Sequence, residues 1–250
     1  MSASSNAHIF DSFDQQIQAT ARLILTVAKD ASTKKGRFNF VLSGGSTPAP
    51  LFRMLALPPY AEAMPWNATH FYWGDERIVP PAHEESNYGQ ARLLLLDRIQ
   101  ARPENAHRIK GELSAIDAAA DYSERLSTLS GMSGQGTLFD LVLLGLGSDG
   151  HTASLFPGPI KAEEQRSLAL AISAVYGGRP AHRVTLTPRA FNRSRNVVFL
   201  VSGSEKAEAV KESISGEFDP QTWPAHRIHP DFGEVTWMLD AEAGALLRPA

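Results

Sequence analysis

Cysteine is absent from the 250 residues. That excludes disulfides, thiolate metal sites and a cysteine nucleophile. A surplus of charge is lacking too. The chain has 24 Lys and Arg against 27 Asp and Glu, a formal net charge of -3, which offers nothing for tracking a phosphate backbone. No apolar run approaches the roughly 20 residues that a membrane-spanning helix needs. The first residues, Met-Ser-Ala-Ser-Ser-Asn-Ala-His, lack the basic start and apolar core of a secretory signal. The expectation is a soluble cytoplasmic protein with no nucleic-acid or membrane partner. No glycine turn ends in Gly-Lys-Ser/Thr, so a nucleotide P-loop is missing. No internal repeat or low-complexity tract is present either.

What is present is an ordinary globular composition, 43% hydrophobic and 20% charged, long enough for a sizeable core. A single domain over residues 1–250 is expected. Apolar residues at helical spacing over 11–31 predict a helix, stopped at Gly36. Short apolar strands are predicted at 38–42, 69–73, 138–144, 168–172, 183–187, 196–201 and 235–239. Helices are predicted after Pro48, from Ser86 or Asn87 to residue 99, and over 115–130, 205–214 and 241–247. Residues 58–68, 103–112 and 216–232 read as loops, 130–136 as a linker and 177–180 as a turn. Strands alternating with helices argue for α/β, a mostly parallel sheet. Ligands of such sheets bind beyond the carboxyl ends of the strands.

Four strands end in unusual residues, and all four ends are expected on one edge of the sheet. The first end is Ser43, Gly44, Gly45, Ser46 and Thr47, with Thr47 or Ser46 as N-cap and Pro48 at the first helical position. Backbone N–H groups and hydroxyls at a helix start form an anion cradle, or else a plain turn. The second is Gly74-Asp75-Glu76-Arg77. Arg77 suits a bidentate contact to phosphate or carboxylate, with an internal Asp–Arg ion pair as the other reading. Asp75 suits sugar hydroxyls or the orientation of a catalytic group. The third is Gly145-Leu146-Gly147-Ser148-Asp149-Gly150-His151. It matches G-x-G-x-x-G, but the next segment is cut by Pro157 and no βαβ unit with a terminal acid follows, so a dinucleotide site is rejected. The stretch has no G-x-S-x-G elbow. His151 at this break is the candidate catalytic base, and Asp149 either orients it or caps the loop. The fourth is Ser202-Gly203-Ser204, leading to Lys206 in the first turn of a helix, where a bound anion would offset its conflict with the helix dipole. His226 and His229 form H-x-x-H without a neighbouring carboxylate pattern, so no metal site is assigned.

These blocks together resemble the 6-phosphogluconolactonase family, related to glucosamine-6-phosphate deaminase. The resemblance rests on Leu-Ser-Gly-Gly-Ser-Thr-Pro (42–48), Trp-Gly-Asp-Glu-Arg (73–77), Ser-Asn-Tyr (86–88), residues 145–158, Arg-Val-Thr-Leu-Thr (183–187) and Ser-Gly-Ser-Glu-Lys (202–206). It implies a Rossmann-like three-layer sheet of the glucosamine-6-phosphate deaminase/ribose-5-phosphate isomerase type. It further implies cofactor-free hydrolysis of a phosphorylated sugar lactone in the oxidative pentose phosphate pathway. The sequence itself does not set the oligomeric state, and a monomer is the expectation. In that frame His151 is the acid/base, while Arg77, Lys206 and residues 43–47 hold phosphate and sugar. Arg183 matches an arginine near the substrate. Gly-Gly-Arg-Pro-Ala-His before Arg183 departs from the family's usual Pro/Lys-rich turn, which leaves a role for Arg179 or His182 open. The residues allow direct attack by water, with a donor pair from the glycine loop or Arg77 for the oxyanion. The alternatives are an amino-sugar phosphate deaminase and a non-catalytic sugar-phosphate sensor.

Overall fold

The computed structural model describes residues 6–132, 136–175 and 178–247. The chain opens with β1 (Asn6–Phe10) and α1 (Phe13–Lys35). α1 is capped as its sequence dictates. Ser12 accepts from Gln15 N at 3.3 Å, and Gly36, at φ 68°, closes the far end by donating to Ser32 O at 2.9 Å. Then follow β2 (Phe38–Leu42), α2 (Pro48–Leu55), the short α3 (Tyr60–Ala63), β3 (Thr69–Trp73), β4 (Asp75–Arg77) and α4 (Asn87–Leu94). Next come β5 (Ala106–His107), α5 (Ala115–Met132), β6 (Leu141–Leu144), α6 (Glu163–Arg166), β7 (Ala169–Ser173) and β8 (His182–Leu186). The last elements are α7 (Pro188–Phe191), β9 (Asn196–Val201), α8 (Ala207–Ser215) and β10 (Glu234–Asp240).

Seven strands form a parallel sheet in the order β1-β10-β9-β6-β2-β3-β5. All residues of β2 and β6 are buried, as strands covered on both faces must be. Strand order reverses at β2: the chain first adds β3 on one side and later β6 on the other. Helices flank the sheet, and the α/β, mostly parallel expectation holds.

Several expectations need correction. Gly74-Asp75-Glu76-Arg77 is more than the end of β3, since Asp75–Arg77 forms a strand of its own that pairs antiparallel with β8. The predicted strands near 168–172 and 183–187 leave the parallel sheet and join β4 in a separate three-stranded antiparallel sheet, β4-β8-β7. β7 and β8 follow one another with only a short connection, which permits an antiparallel pairing and not a parallel crossover. β1 escaped prediction because Asn6-Ala-His is polar and exposed, as an edge strand tolerates. Neither Ser46 nor Thr47 caps α2 through its side chain: Thr47 occupies the N-cap position in helical geometry without a cap bond. The expected loops hold short elements, α3 within 58–68 and β5 within 103–112. The 115–130 helix runs on to Met132, into the predicted 130–136 linker, of which residues 133–135 lie outside the described residues; so does Gly177 of the predicted turn. The expected helix at 241–247 is a 3-10 turn, Ala245–Leu247.

Candidate active site

The carboxyl ends of β2, β6 and β9 and strand β4 open onto one cavity of about 730 Å³. It lies where strand order reverses, the position at which open α/β sheets bind ligands. Ser43, Gly44, Gly45, Ser46 and Thr47 form one wall. Asp75 and Arg77 come from β4, Arg183 from β8, His151 from the turn after β6, and Lys206 from the entry to α8. The expected convergence on one edge of the sheet is therefore what the fold builds.

His151 is mostly enclosed, its side chain 16% exposed. Its Nδ1 lies 2.6 Å from Asp149 Oδ1, its backbone N–H donates to the same oxygen at 3.2 Å, and the Phe156 ring centroid is 5.0 Å from its own. With Nδ1 facing a carboxylate that only accepts, Nδ1 carries a proton and donates it to Asp149 Oδ1, so that proton exchange falls to Nε2. Burial alone would raise the Asp149 carboxyl, but the His151 hydrogen bond and charge outweigh it and hold the group below the usual range. Asp149 therefore both orients His151 and closes its turn. Two glycines make this arrangement possible. A Cβ on Gly147 would stand 2.0 Å from His151 Nδ1. Gly150 adopts φ +77°, where L side chains are strained, and a Cβ there would meet Trp223 at 2.5 Å.

Asp75 is 7% exposed, and the ion pair with Arg77 is not formed. Its Oδ2 accepts from Ser154 Oγ at 2.6 Å and its Oδ1 from Asn87 Nδ2 at 3.0 Å. Ser154 N in turn donates to Thr185 Oγ1 at 3.3 Å, so Asp75 ties the His151 turn to the antiparallel sheet. Arg77 instead pairs with Glu85 at 3.0 Å and donates to its carbonyl at 2.6 Å. Nε of Arg77, and Nε and Nη2 of Arg183, are buried without partners among the described residues. Unmet guanidinium donors beside a cavity fit an anionic or polyhydroxy ligand. Burial pushes Arg183 downward, Asp75 opposes this, and Arg77 and Arg179 add to it.

Behind Arg77 lies Glu76, 1% exposed. It accepts from the backbone N–H of Arg77, Asn87 and Tyr88 at 2.7–2.8 Å and from Ser86 Oγ at 3.0 Å. Burial pushes its carboxyl up to about 7 while these donors pull it down. At the far wall, Gly203 N donates to both carboxylate oxygens of Asp240, at 3.2 and 3.1 Å, and Lys206 N to Gly203 O at 3.1 Å, which fixes the turn that carries Lys206. Gln16 of α1 donates to Val201 O at 2.8 Å and Met238 O at 2.6 Å and accepts from Ser202 Oγ at 2.8 Å, bracing the ends of β9 and β10.

Arg179 lines the cavity and the exposed His182 does not. Asn87 lines it too, a residue the sequence pointed to only as a helix start and as part of Ser-Asn-Tyr. Asp240 also reaches the wall without having been foreseen, and Glu205, read only as part of Ser-Gly-Ser-Glu-Lys and as a helix start, joins it. Among the described residues no cluster of His, Asp and Glu is arranged to hold a metal ion. His226 spends both ring nitrogens elsewhere, Nδ1 accepting from Asp219 N and Nε2 facing Glu212 O, each at 3.0 Å. No helix among the described residues is long and apolar enough to cross a membrane.

Residues 11–237 match the family model described as glucosamine-6-phosphate isomerases/6-phosphogluconolactonase. The chain belongs to this family. Within the glucosamine-6-phosphate isomerase/6-phosphogluconolactonase family, it is 41% identical over 231 residues to a 6-phosphogluconolactonase of Synechocystis sp., covering 90% of this chain and 91% of that one. A Haemophilus influenzae 6-phosphogluconolactonase is 39% identical over 206 residues, 82% of this chain and 86% of that one. Among solved structures, a 6-phosphogluconolactonase from Trypanosoma cruzi superimposes with a TM-score of 0.84 at 27% identity, covering 100% of this chain and 99% of that one. A monomeric glucosamine-6-phosphate deaminase shares the fold, with a TM-score of 0.82 at 21% identity over 97% of this chain and 100% of that one.

Proposed function

We propose that the protein hydrolyses 6-phospho-D-glucono-1,5-lactone to 6-phospho-D-gluconate, the lactone-opening step of the oxidative pentose phosphate pathway. The observation that carries this reading is one cavity that joins an oriented imidazole to an array of anion-binding groups. His151 Nε2 takes a proton from water beside the lactone carbonyl, and the hydroxide forms the new C–O bond. Arg77 or Arg183, each with buried N–H donors to spare, stabilises the oxyanion. As the ring C–O bond breaks, His151 returns its proton to the leaving ring oxygen. Residues 43–47 and Lys206 hold the phosphate and so convert remote binding into orientation. Asp75, fixed by Ser154 and Asn87, accepts from a sugar hydroxyl. The step as written uses water and protein groups alone, so it proceeds without a cofactor. One chain supplies every group named, which supports residues 1–250 acting as one domain and as a monomer. The compartment that fits this chemistry is the cytoplasm.

The deciding experiment uses freshly made lactone in a pH-stat assay beside an ammonia-release assay with glucosamine 6-phosphate. Acid release without ammonia supports the reading, and ammonia release overturns it. His151→Ala should lower kcat by about 10²–10⁴-fold, the usual worth of a positioned general base, with the circular dichroism spectrum unchanged. Intact turnover would remove His151 from the mechanism.

A further inference from the structure

Arg227 and Glu164 lie outside the cavity lining, and each is 5% exposed. They form a buried ion pair at 3.2 Å. The guanidinium serves more than the carboxylate. Its Nη2 donates to Gly158 O at 2.9 Å and Phe156 O at 3.4 Å, and its Nε to Pro220 O at 2.7 Å. One side chain thus joins three segments: the stretch that leaves the His151 turn, α6, and residues 220–227.

The last of these backs the catalytic turn directly. Ala225 N donates to Gly150 O at 3.2 Å, and Gly158 N donates to Gln221 O at 2.8 Å. The Trp223 ring sits against Gly150 so closely that no Cβ fits between them. Phe156, whose carbonyl Arg227 holds, packs its ring on His151. Stability alone is a poor reason for this pair. Well-packed apolar residues in place of a buried ion pair are often neutral or stabilising. What an arginine fork supplies is direction: several donors in a fixed plane, which a lysine ammonium cannot reproduce.

We infer that Arg227, paired with Glu164, is a positioning residue for catalysis: it locks the backing of the Gly147–His151 turn and so sets where the imidazole stands against the lactone carbonyl. The inference rests on the reading of His151 as the base. Misplacement of a catalytic group by about 1 Å can cost about 10²-fold in rate.

Arg227→Lys keeps the charge opposite Glu164 and loses the fork. It should fold, keep KM within about twofold and lower kcat about 10- to 100-fold. Ile24→Val, buried on α1 and outside the cavity lining, serves as the control for general loosening, and should leave kcat at the wild-type value. His151→Gln supplies the other arm. If Arg227 acts through His151, the His151→Gln/Arg227→Lys double variant is no slower than His151→Gln alone. A folded Arg227→Lys with wild-type kcat beside an inactive His151→Gln overturns the positioning role and leaves the base reading standing. Additive losses in the double variant, or a kcat loss that Ile24→Val shares, also overturn it. A fully active His151→Gln overturns both readings. Should Arg227→Lys fail to fold, Glu164→Gln carries the same split of kcat from KM, and wild-type kcat in that folded variant overturns the inference.

Discussion

Lys206 shows how a single side chain takes its meaning from its surroundings. At the start of a helix a cation is placed against the helix dipole, yet the turn that carries it is pinned by Asp240 and faces the cradle of residues 43–47 across the cavity. A bound phosphate turns that arrangement into an attraction. A hydrogen bond to a charged group contributes about 1.5–3 kcal/mol, so Lys206→Ala should raise KM for the phosphorylated lactone about 10- to 100-fold with a smaller effect on kcat. Steady-state kinetics checks this, and an unchanged KM would take Lys206 out of the phosphate site. The strand ends that meet at the cavity were legible, because strand ends rich in glycine and charge stand out in a sequence. Ser154 and Thr185 were not singled out, and Asn87 was named only as a helix start and within Ser-Asn-Tyr. They act through Asp75, and partners brought together across the fold leave no trace in local spacing.

Among the elements, β4 and the start of α4 hold each other through Glu76. The carboxylate fills the place of a cap for α4, meeting the N–H groups of Asn87 and Tyr88, while Ser86 also caps from its own side chain by accepting from Gly89 N at 3.0 Å. Glu76→Gln puts an amide donor against donors and leaves buried N–H groups unmet. The loss should be about 2–4 kcal/mol, from about 1–3 kcal/mol per unmet group, or roughly 5–15 °C in Tm for a chain of this size. Thermal unfolding at pH 8, with the wild-type carboxylate ionised, is the measurement; a change under 2 °C, roughly the noise of a surface substitution, would refute the bracing role. The element pattern was largely readable. Continuous apolar runs marked β6 and β9, a mostly apolar one marked β2, and Gly36 and Ser86 marked helix ends. The second sheet was hidden because sequence periodicity marks a strand without naming its partner, and Asp-Glu-Arg has no strand signature until β8 lies beside it.

Across the whole molecule, the β3–β5 edge of the sheet carries its own charge chemistry, outside the cavity lining. His70 and His107 stack with centroids 5.3 Å apart and share a 3.0 Å contact between ring nitrogens, with Tyr72 stacked on His107 at 4.7 Å. Burial first, and then nearby cations including Arg37, lower both imidazoles to about 4. The unfolded chain, with both groups near about 6.5, binds more protons in between. Stability is therefore fully present above about pH 6.5 and is lost as pH falls towards about 4. His107→Gln should flatten that slope. Urea midpoints at pH 7.0, 5.5 and 4.5 compare the two proteins, and parallel slopes would exclude this pair as the origin.

The place of β2 in the sheet also bears on how the protein is made. Its link to the segment leading into β6 joins residues 101 apart in the chain, Asn39 N to Asp140 Oδ2 at 2.7 Å. Pairing with β3 is far more local. Long closures are slow to form, since their entropy is spent before the contacts repay it. The crevice between residues 43–47 and His151 is bounded by that long closure, so a nascent or partly folded chain with only β2–β3 in place lacks the crevice to which the proposed function assigns the substrate. Ligand then stabilises the completed fold alone, and catalytic competence arrives in one step with the joining of the two halves of the sheet.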